Sequence, residues 1–142
     1  MNRQTTTNVF EDIKVNVKIK LATLWASVMF LYIYVDHFHL YMPGMIDDIL
    51  KGRVFEFGIT KGFLLAALFS MTIPALMIFL SVALSAKVNR RLNIIIGSIF
   101  IPYTLFNLVG VAWIHMVFAA VVEVALLCLI VYHAWKWPRI EK

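Results

Sequence analysis

Apolar residues along this chain gather in four long segments that polar connections separate. Two runs lack charged residues altogether, Gly62 to Ala86 and Leu92 to Val122, and each exceeds the ~20 residues that a membrane-spanning helix needs. We predict spanning helices at residues 17–42, 62–86, 91–110 and 113–135. The fold class that follows is all-α, an integral membrane four-helix bundle formed by a single domain over residues 1–142.

Two shorter elements accompany the spans. The stretch Asn8 to Glu11 resembles a capping box, and helical spacing of apolar residues after it predicts an N-terminal interfacial helix that runs into the first span. The alternation in IKVNVKIK favours a strand there instead. In the first outer loop, PGMIDDILKG predicts a short amphipathic helix. This helix would be a surface connector or a lid over an outward-facing pocket.

Composition supports the membrane interpretation. Of the 142 residues, 62% are hydrophobic and only 15% are charged. A soluble domain of this size has too little interior to hide so much apolar surface, so we expect the lipid bilayer to cover it. The single cysteine, Cys128, excludes an intrachain disulfide and CxxC thiol chemistry.

The distribution of basic residues predicts the orientation. Ten of the 13 Lys and Arg residues flank the spans on the side of the two termini and the middle connection. By the positive-inside rule this side is cytoplasmic, which predicts a multi-pass protein of the inner (plasma) membrane, N-in and C-in. The net charge of +5 is therefore a topology signal, and we expect no nucleic acid partner. The ten residues are Arg3, Lys14, Lys18, Lys20, Lys87, Arg90, Arg91, Lys136, Arg139 and Lys142.

Polar residues form one stripe on the first span. At 100° per residue, Asp36 and His39 share a face with Tyr32, whereas His37 points about 100° away from Asp36. We predict that Asp36 and His39 pair at the i, i+3 spacing near the outer rim. His37 is expected to be an interfacial residue.

Glu123 is the costliest polar residue of the fourth span. It lies eight residues after His115, which is roughly 12 Å along a helix and near the bilayer centre. A charged carboxyl there costs roughly 2.5 kcal/mol or more unless it is protonated, paired or hydrated. We interpret Glu123 as a proton-carrying or ligand-binding carboxyl, with a protonated structural glutamate as the alternative.

These residues predict an outward-opening polar vestibule that narrows to a buried acid, with no catalytic residues. Its candidate ligand- or proton-binding residues are Glu123, Asp36, His39, His115, Tyr32, Asn107 and Glu56. No strong metal-ligand spacing such as HExxH is present. Axial haem ligation by His39 or His37 with His115 is allowed by depth, but no attachment motif supports it. The sequence names no cofactor.

Four segments carry a resemblance to a known group. They are LWASVMFLYIYVDHF in the first span, IPALMIFLSVAL and NRRLNIIIG around the middle connection, and the terminal YHAWKWP. With them the chain resembles an uncharacterised bacterial family of small four-helix integral membrane proteins. By architecture it is more distantly similar to the DoxX-like group, some of whose members associate with quinone-linked oxidoreductases.

Three functions remain open at this point. The leading hypothesis is a protein that binds or transports a small or lipophilic ligand, or protons, with Asp36 and His39 as a gate and Glu123 below. The alternative is a redox accessory subunit that binds haem, metal or quinone. The third is a structural membrane partner without a ligand, and in each case we expect self-association or association with another membrane protein.

Overall fold

The computed structural model describes residues 13–110 and 112–138. Most of this part of the chain is helical, and a two-stranded antiparallel hairpin is added between the second and third helices. The elements are α1 (Val17–His39), α2 (Met45–Leu50), β1 (Arg53–Val54), β2 (Phe57–Gly58), α3 (Lys61–Ala83), α4 (Ala86–Phe106) and α5 (Ile114–Trp135).

Three of the helices, α1, α3 and α5, are long and apolar enough to cross a membrane. The helix α4 is similar in length, but its first two turns carry Lys87, Arg90 and Arg91, which lower its hydropathy. A helical protein with several membrane-crossing segments is thus the architecture that the structure supports.

The helix α1 begins and ends at definite capping positions. Asn16 is extended, and its side-chain oxygen accepts a hydrogen bond of 2.9 Å from the Lys18 N–H, as an N-cap does. The helix ends at His39, three residues before the predicted limit at 42, because the chain turns ahead of Pro43.

The prediction of a helix leading into the first span is wrong for residues 13–16, which are not helical. The extended backbone of Asn16 is the physical reason, since it interrupts any helix that arrives from upstream. The alternative strand is also wrong from Val17 onward, where α1 takes over. The earlier part of the predicted helix, residues 8–12, lies outside the described residues.

The first connection contains the predicted short helix and a hairpin that the sequence did not predict. Gly44 and Gly52 stand on either side of α2 with positive φ of 83° and 77°, the conformation that glycine adopts most easily. In the hairpin, Arg53 pairs with Gly58 and Val54 with Phe57. We call the end of the molecule that carries α2 and this hairpin the hairpin end.

The helices α3 and α4 are joined by a very short connection, Leu84 and Ser85. The predicted third span at 91–110 is therefore displaced, since α4 begins at Ala86 and ends at Phe106. The prediction was displaced because it assigned the basic residues in the first turns of α4 to the connection. The Lys18 ammonium of α1 donates hydrogen bonds to two carbonyl oxygens near this connection, those of Val82 and Leu84, at 3.1 and 2.6 Å.

One apolar core is shared by the four long helices. α5 packs against α1 and α4, and α1 packs against α3. The fully buried members of this core include Trp25, Met77 and Leu127. Gly97 lets α4 approach α5 closely, because a Cβ at this position would lie 3.0 Å from Val131 Cγ2.

Large apolar side chains cover the outside of this core. On α3 alone Leu65, Leu68 and Phe79 are each at least two-thirds exposed. Monomeric soluble proteins rarely expose contiguous apolar patches beyond a few hundred Å². This surface is of the kind that lipid covers.

Candidate functional site

A small cavity lies between α1, α4 and α5 near the hairpin end, and α3 closes one side of it. Its volume is about 40 Å³. Five polar side chains line it, together with apolar residues that include Met71 and Met116. The polar residues are Tyr32, Asp36, Thr104, Asn107 and Glu123.

Glu123 supplies a buried carboxyl group to this cavity. Its side chain is 5% exposed, and Oε1 has no hydrogen-bond partner among the residues that the structure describes. Buried polar atoms in folded proteins nearly always have a partner, in the protein or in ordered water. The unpaired oxygen of Glu123 is therefore a place where a proton, a water molecule or a ligand would gain a contact.

Asp36 and Asn107 occupy the mouth of the cavity. Both residues are exposed, and they come from the last turn of α1 and the C-cap of α4 respectively. Asp36 thus presents a second carboxyl to the same cavity as Glu123, but from its rim. The cavity thus holds two carboxyl groups, one exposed at its mouth and one buried.

The floor of the cavity is closed by a hydrogen bond and an aromatic layer. The hydroxyl groups of Tyr32 and Thr104 are 2.7 Å apart, and either can donate. Phe100 stacks on Tyr32 with ring centroids 6.5 Å apart and meets Trp25 edge-on at 6.2 Å. The ring of Phe100 therefore lies between the cavity and a second group of polar residues, to which Trp25 belongs.

Three of the sequence-predicted site residues do not line this cavity. Glu56 is exposed in the hairpin turn. His39 is buried, and its ring meets the ring of Phe55 edge-on at 4.4 Å. His115 lies at the start of α5 and faces a different, wider cavity.

The predicted pairing of Asp36 with His39 is not observed in the described part of the chain. His39 Nε2 has no hydrogen-bond partner, while Asp36 faces the cavity. The imidazole of His39 packs instead against the ring of the hairpin residue Phe55. His37 lies on the exposed side and is 3.3 Å from the Tyr41 hydroxyl.

The wider cavity lies at the hairpin end between the turn after α1 and the start of α5. Its volume is about 350 Å³, and its lining is mostly aromatic. His115 is the residue in this lining with an ionisable nitrogen. The lining residues are Phe38, Tyr41, Met42, Trp113 and His115.

A second polar group lies on the far side of Phe100, and we call it the asparagine cluster: Trp25, Ser81, Asn89 and Asn93. All four side chains are fully buried. Asn93 Oδ1 accepts from the Trp25 indole at 2.7 Å and from the Ser81 hydroxyl at 3.4 Å. Its amide group donates to Asn89 Oδ1 at 2.6 Å, and the Asn89 amide donates to the Ser81 carbonyl oxygen.

Sequence reasoning missed Asn89, because the third span was taken to begin at Arg91. The signal was present, since Asn89 and Asn93 stand four residues apart and so share one helix face. Met71 and Met116 were also missed as cavity residues, because apolar side chains on a helix give no sign of which cavity they border.

The described residues form a mostly helical protein, in which three helices are long and apolar enough to cross a membrane. No group of three or more His, Cys, Asp or Glu residues that could hold a metal ion occurs in the described part of the chain. The chain belongs to DUF6326, a family of unknown function, which it matches over residues 8–142. No curated protein and no solved structure matches it.

Proposed function

We propose that this chain is an inner-membrane protein with four spanning helices that binds a proton or a small hydrated cation from the outer face. The observation that carries the proposal is the unpaired Oε1 of Glu123, which is buried in a cavity that also receives Asp36. Glu123 is the terminal acceptor in this proposal, and Asp36 is the group that first meets the ligand.

The length and neighbours of α4 support its role as the fourth span. Its 21 residues extend over about 32 Å, close to the ~30 Å hydrocarbon core of a bilayer. It packs along α5, which is itself apolar and long enough to cross. Lys87, Arg90 and Arg91 then lie at the membrane surface, which by the positive-inside rule is the cytoplasmic one.

In this proposal the hairpin end lies on the outer face and both termini lie inside. The connection between α1 and α3 carries two basic residues, Lys51 and Arg53, together with three acidic ones. Basic residues alone lie at the start of α4. Met45 belongs to the apolar cluster that contains Met116 and Leu108, two residues that also line the cavity. The helix α2 is therefore placed to act as a lid over the outward opening.

The size of the cavity favours protons and small cations over lipophilic ligands. Its volume of about 40 Å³ is enough for roughly two or three water molecules, since one water needs about 10–15 Å³ on this measure. Sites for drug-sized ligands are ~300 Å³ or more. Water in the cavity would connect Asp36 with Glu123 and hydrate the deeper carboxyl.

The decisive experiment compares Glu123→Gln with Glu56→Gln in protein reconstituted into lipid vesicles. Infrared difference spectra across a pH step should show the carbonyl stretch of a buried carboxyl that gains and loses a proton in the wild type. Glu123→Gln should abolish this band, because the amide has no exchangeable carboxyl proton. Glu56→Gln should retain it, since Glu56 is exposed and lies in the hairpin turn.

Asp36→Asn separates entry from binding in the same measurement. If Asp36 passes the proton inward, the band of Glu123 should persist while its response to the pH step slows several-fold. An unchanged carboxyl band in Glu123→Gln, with wild-type proton or cation uptake, would overturn the proposal.

A further inference from the structure

Two buried ring nitrogens have no role in the proposed cation site. They are Nε2 of His39 and Nε2 of His115, and neither has a hydrogen-bond partner among the described residues. His39 is 9% exposed. Leaving a buried polar atom without a partner costs about 1–3 kcal/mol, so two such atoms at one end of the molecule call for a shared explanation.

Three methionines lie at the hairpin end as well. Met42, Met45 and Met116 form one buried cluster, with exposed fractions of 9%, 9% and 5%. They come from three separate segments, namely the turn after α1, the first residue of α2 and the first turn of α5. Folding thus brings Met116 to two methionines that are three residues apart in the chain.

The backbone holds two of these methionines close together. Met42, Pro43, Gly44 and Met45 form a turn in which the Met45 N–H donates to the Met42 carbonyl oxygen at 3.1 Å. Proline followed by glycine with positive φ, here 83°, is the pattern of a type II turn. In such a turn the first and fourth Cα atoms lie within about 7 Å of each other, which places two thioethers within reach of one ion.

Contacts in the same region bring the imidazoles to this cluster. His115 lines the 350 Å³ cavity together with Met42, and it directly precedes Met116 in the chain. The Met42 N–H donates to the carbonyl oxygen of His39 at 3.1 Å.

We propose that Met42, Met45 and Met116, with the imidazole of His115, form a binding site for Cu(I) at the hairpin end. Thioether sulfur and imidazole nitrogen are soft or intermediate ligands, and thioethers select Cu(I) among the metals that proteins commonly bind. Hard cations prefer oxygen, which the other site supplies. His39 is the second imidazole available to the same ion.

The test is a competition titration of the purified full-length protein in detergent, without oxygen and with ascorbate, against a chromogenic Cu(I) chelator. The wild type should withdraw one equivalent of Cu(I). The double change Met42→Leu with Met45→Leu should weaken binding at least tenfold, because leucine fills a similar volume without a sulfur ligand. His115→Gln should weaken binding as well.

Two control variants make the result specific. Met77→Leu removes a fully buried thioether from the main core, outside the cluster, and should bind like the wild type. Glu123→Gln should also bind like the wild type, which separates this site from the proposed cation site. X-ray absorption at the copper edge should show sulfur and nitrogen neighbours in the wild type and fewer sulfur neighbours in the double variant.

Failure to bind Cu(I), or equal affinity in all variants, would overturn the assignment. The methionines would then be apolar packing residues, and the imidazoles would be hydrated. A proton-binding Glu123 would be unaffected by that outcome.

Discussion

The two polar groups on either side of Phe100 are built from similar residues but differ in how completely they are paired. In the asparagine cluster, the Asn93 side chain receives two hydrogen bonds and donates to Asn89, and all four members are fully buried. In the cavity, Tyr32 and Thr104 pair with each other, but Glu123 keeps an unpaired oxygen. One group is internally satisfied, and the other leaves a position open.

This difference separates a structural role from a binding role. A buried network whose donors and acceptors match each other fixes the relative positions of the helices and offers nothing to a ligand. An unpaired carboxyl oxygen beside a cavity gains from any partner that enters. The structural hypothesis therefore applies to the asparagine cluster, and the binding hypothesis applies to the cavity that contains Glu123.

The largest expected effect comes from removing the ring of Phe100, which lies between the two polar groups. Phe100→Ala should lower the free energy of unfolding by about 3 kcal/mol, because the ring is 4% exposed and packs on both Trp25 and Tyr32. Thermal or denaturant unfolding in detergent would measure it. Phe100→Leu is the control and should lose clearly less. Equal stability of Phe100→Ala and the wild type would show that the two groups are not separated by packing at this ring.

A smaller loss is expected when the asparagine cluster itself is broken. Asn93→Leu should destabilise the protein by about 2 kcal/mol, since hydrogen bonds between membrane helices average about 0.6 kcal/mol each and the Trp25 donor loses its partner. Glu123→Gln should cause no comparable loss in the same assay.

If Glu123→Gln destabilised the protein more than Asn93→Leu, the roles assigned to the two polar groups would be exchanged. Glu123 would then be the structural residue, and the asparagine cluster would be open to a functional role. Infrared spectra of Asn93→Leu should meanwhile retain the carboxyl band of Glu123.

The smallest of these effects concerns Gly97, which lies one turn from Asn93 on α4. Gly97→Ala should cost about 1 kcal/mol, because its Cβ would lie 3.0 Å from Val131 Cγ2 and would force α4 and α5 apart. Gly62→Ala is the matched control in α3. Its Cβ would have no neighbour nearer than 3.9 Å, so alanine should be neutral or slightly stabilising there.

Much of the helical framework could be predicted from hydrophobic runs. The predicted second and fourth spans, at 62–86 and 113–135, lie within three residues of α3 and α5 at each end. Boundaries were less accurate where charges lie inside a helix, as at Lys87 and Arg90, because a long helix can carry its first turns beyond the apolar region. The hairpin at Arg53–Gly58 was missed, since two-residue strands leave almost no periodic pattern.

Some of the residues that line the cavity could be predicted from the sequence, for a physical reason. Helical periodicity orients residues within one helix, so the stripe of Tyr32 and Asp36 could be read from the sequence. The positions of His39 and Glu56 depend on how the first connection folds back over the helices, which periodicity does not describe. The family resemblance is shown by the match to DUF6326, whereas the DoxX-like similarity stays a prediction.

The lysine that binds the end of α3 has a consequence for how the protein is made. Lys18 and its acceptor Val82 are 64 residues apart in the chain, and synthesis proceeds from the N-terminus at about 5–20 residues per second. For several seconds after α1 leaves the ribosome, the ammonium of Lys18 lacks its carbonyl partners on α3 and must be hydrated. The arrival of α3 supplies those partners, so this contact between α1 and α3 forms only after the second long helix has been made.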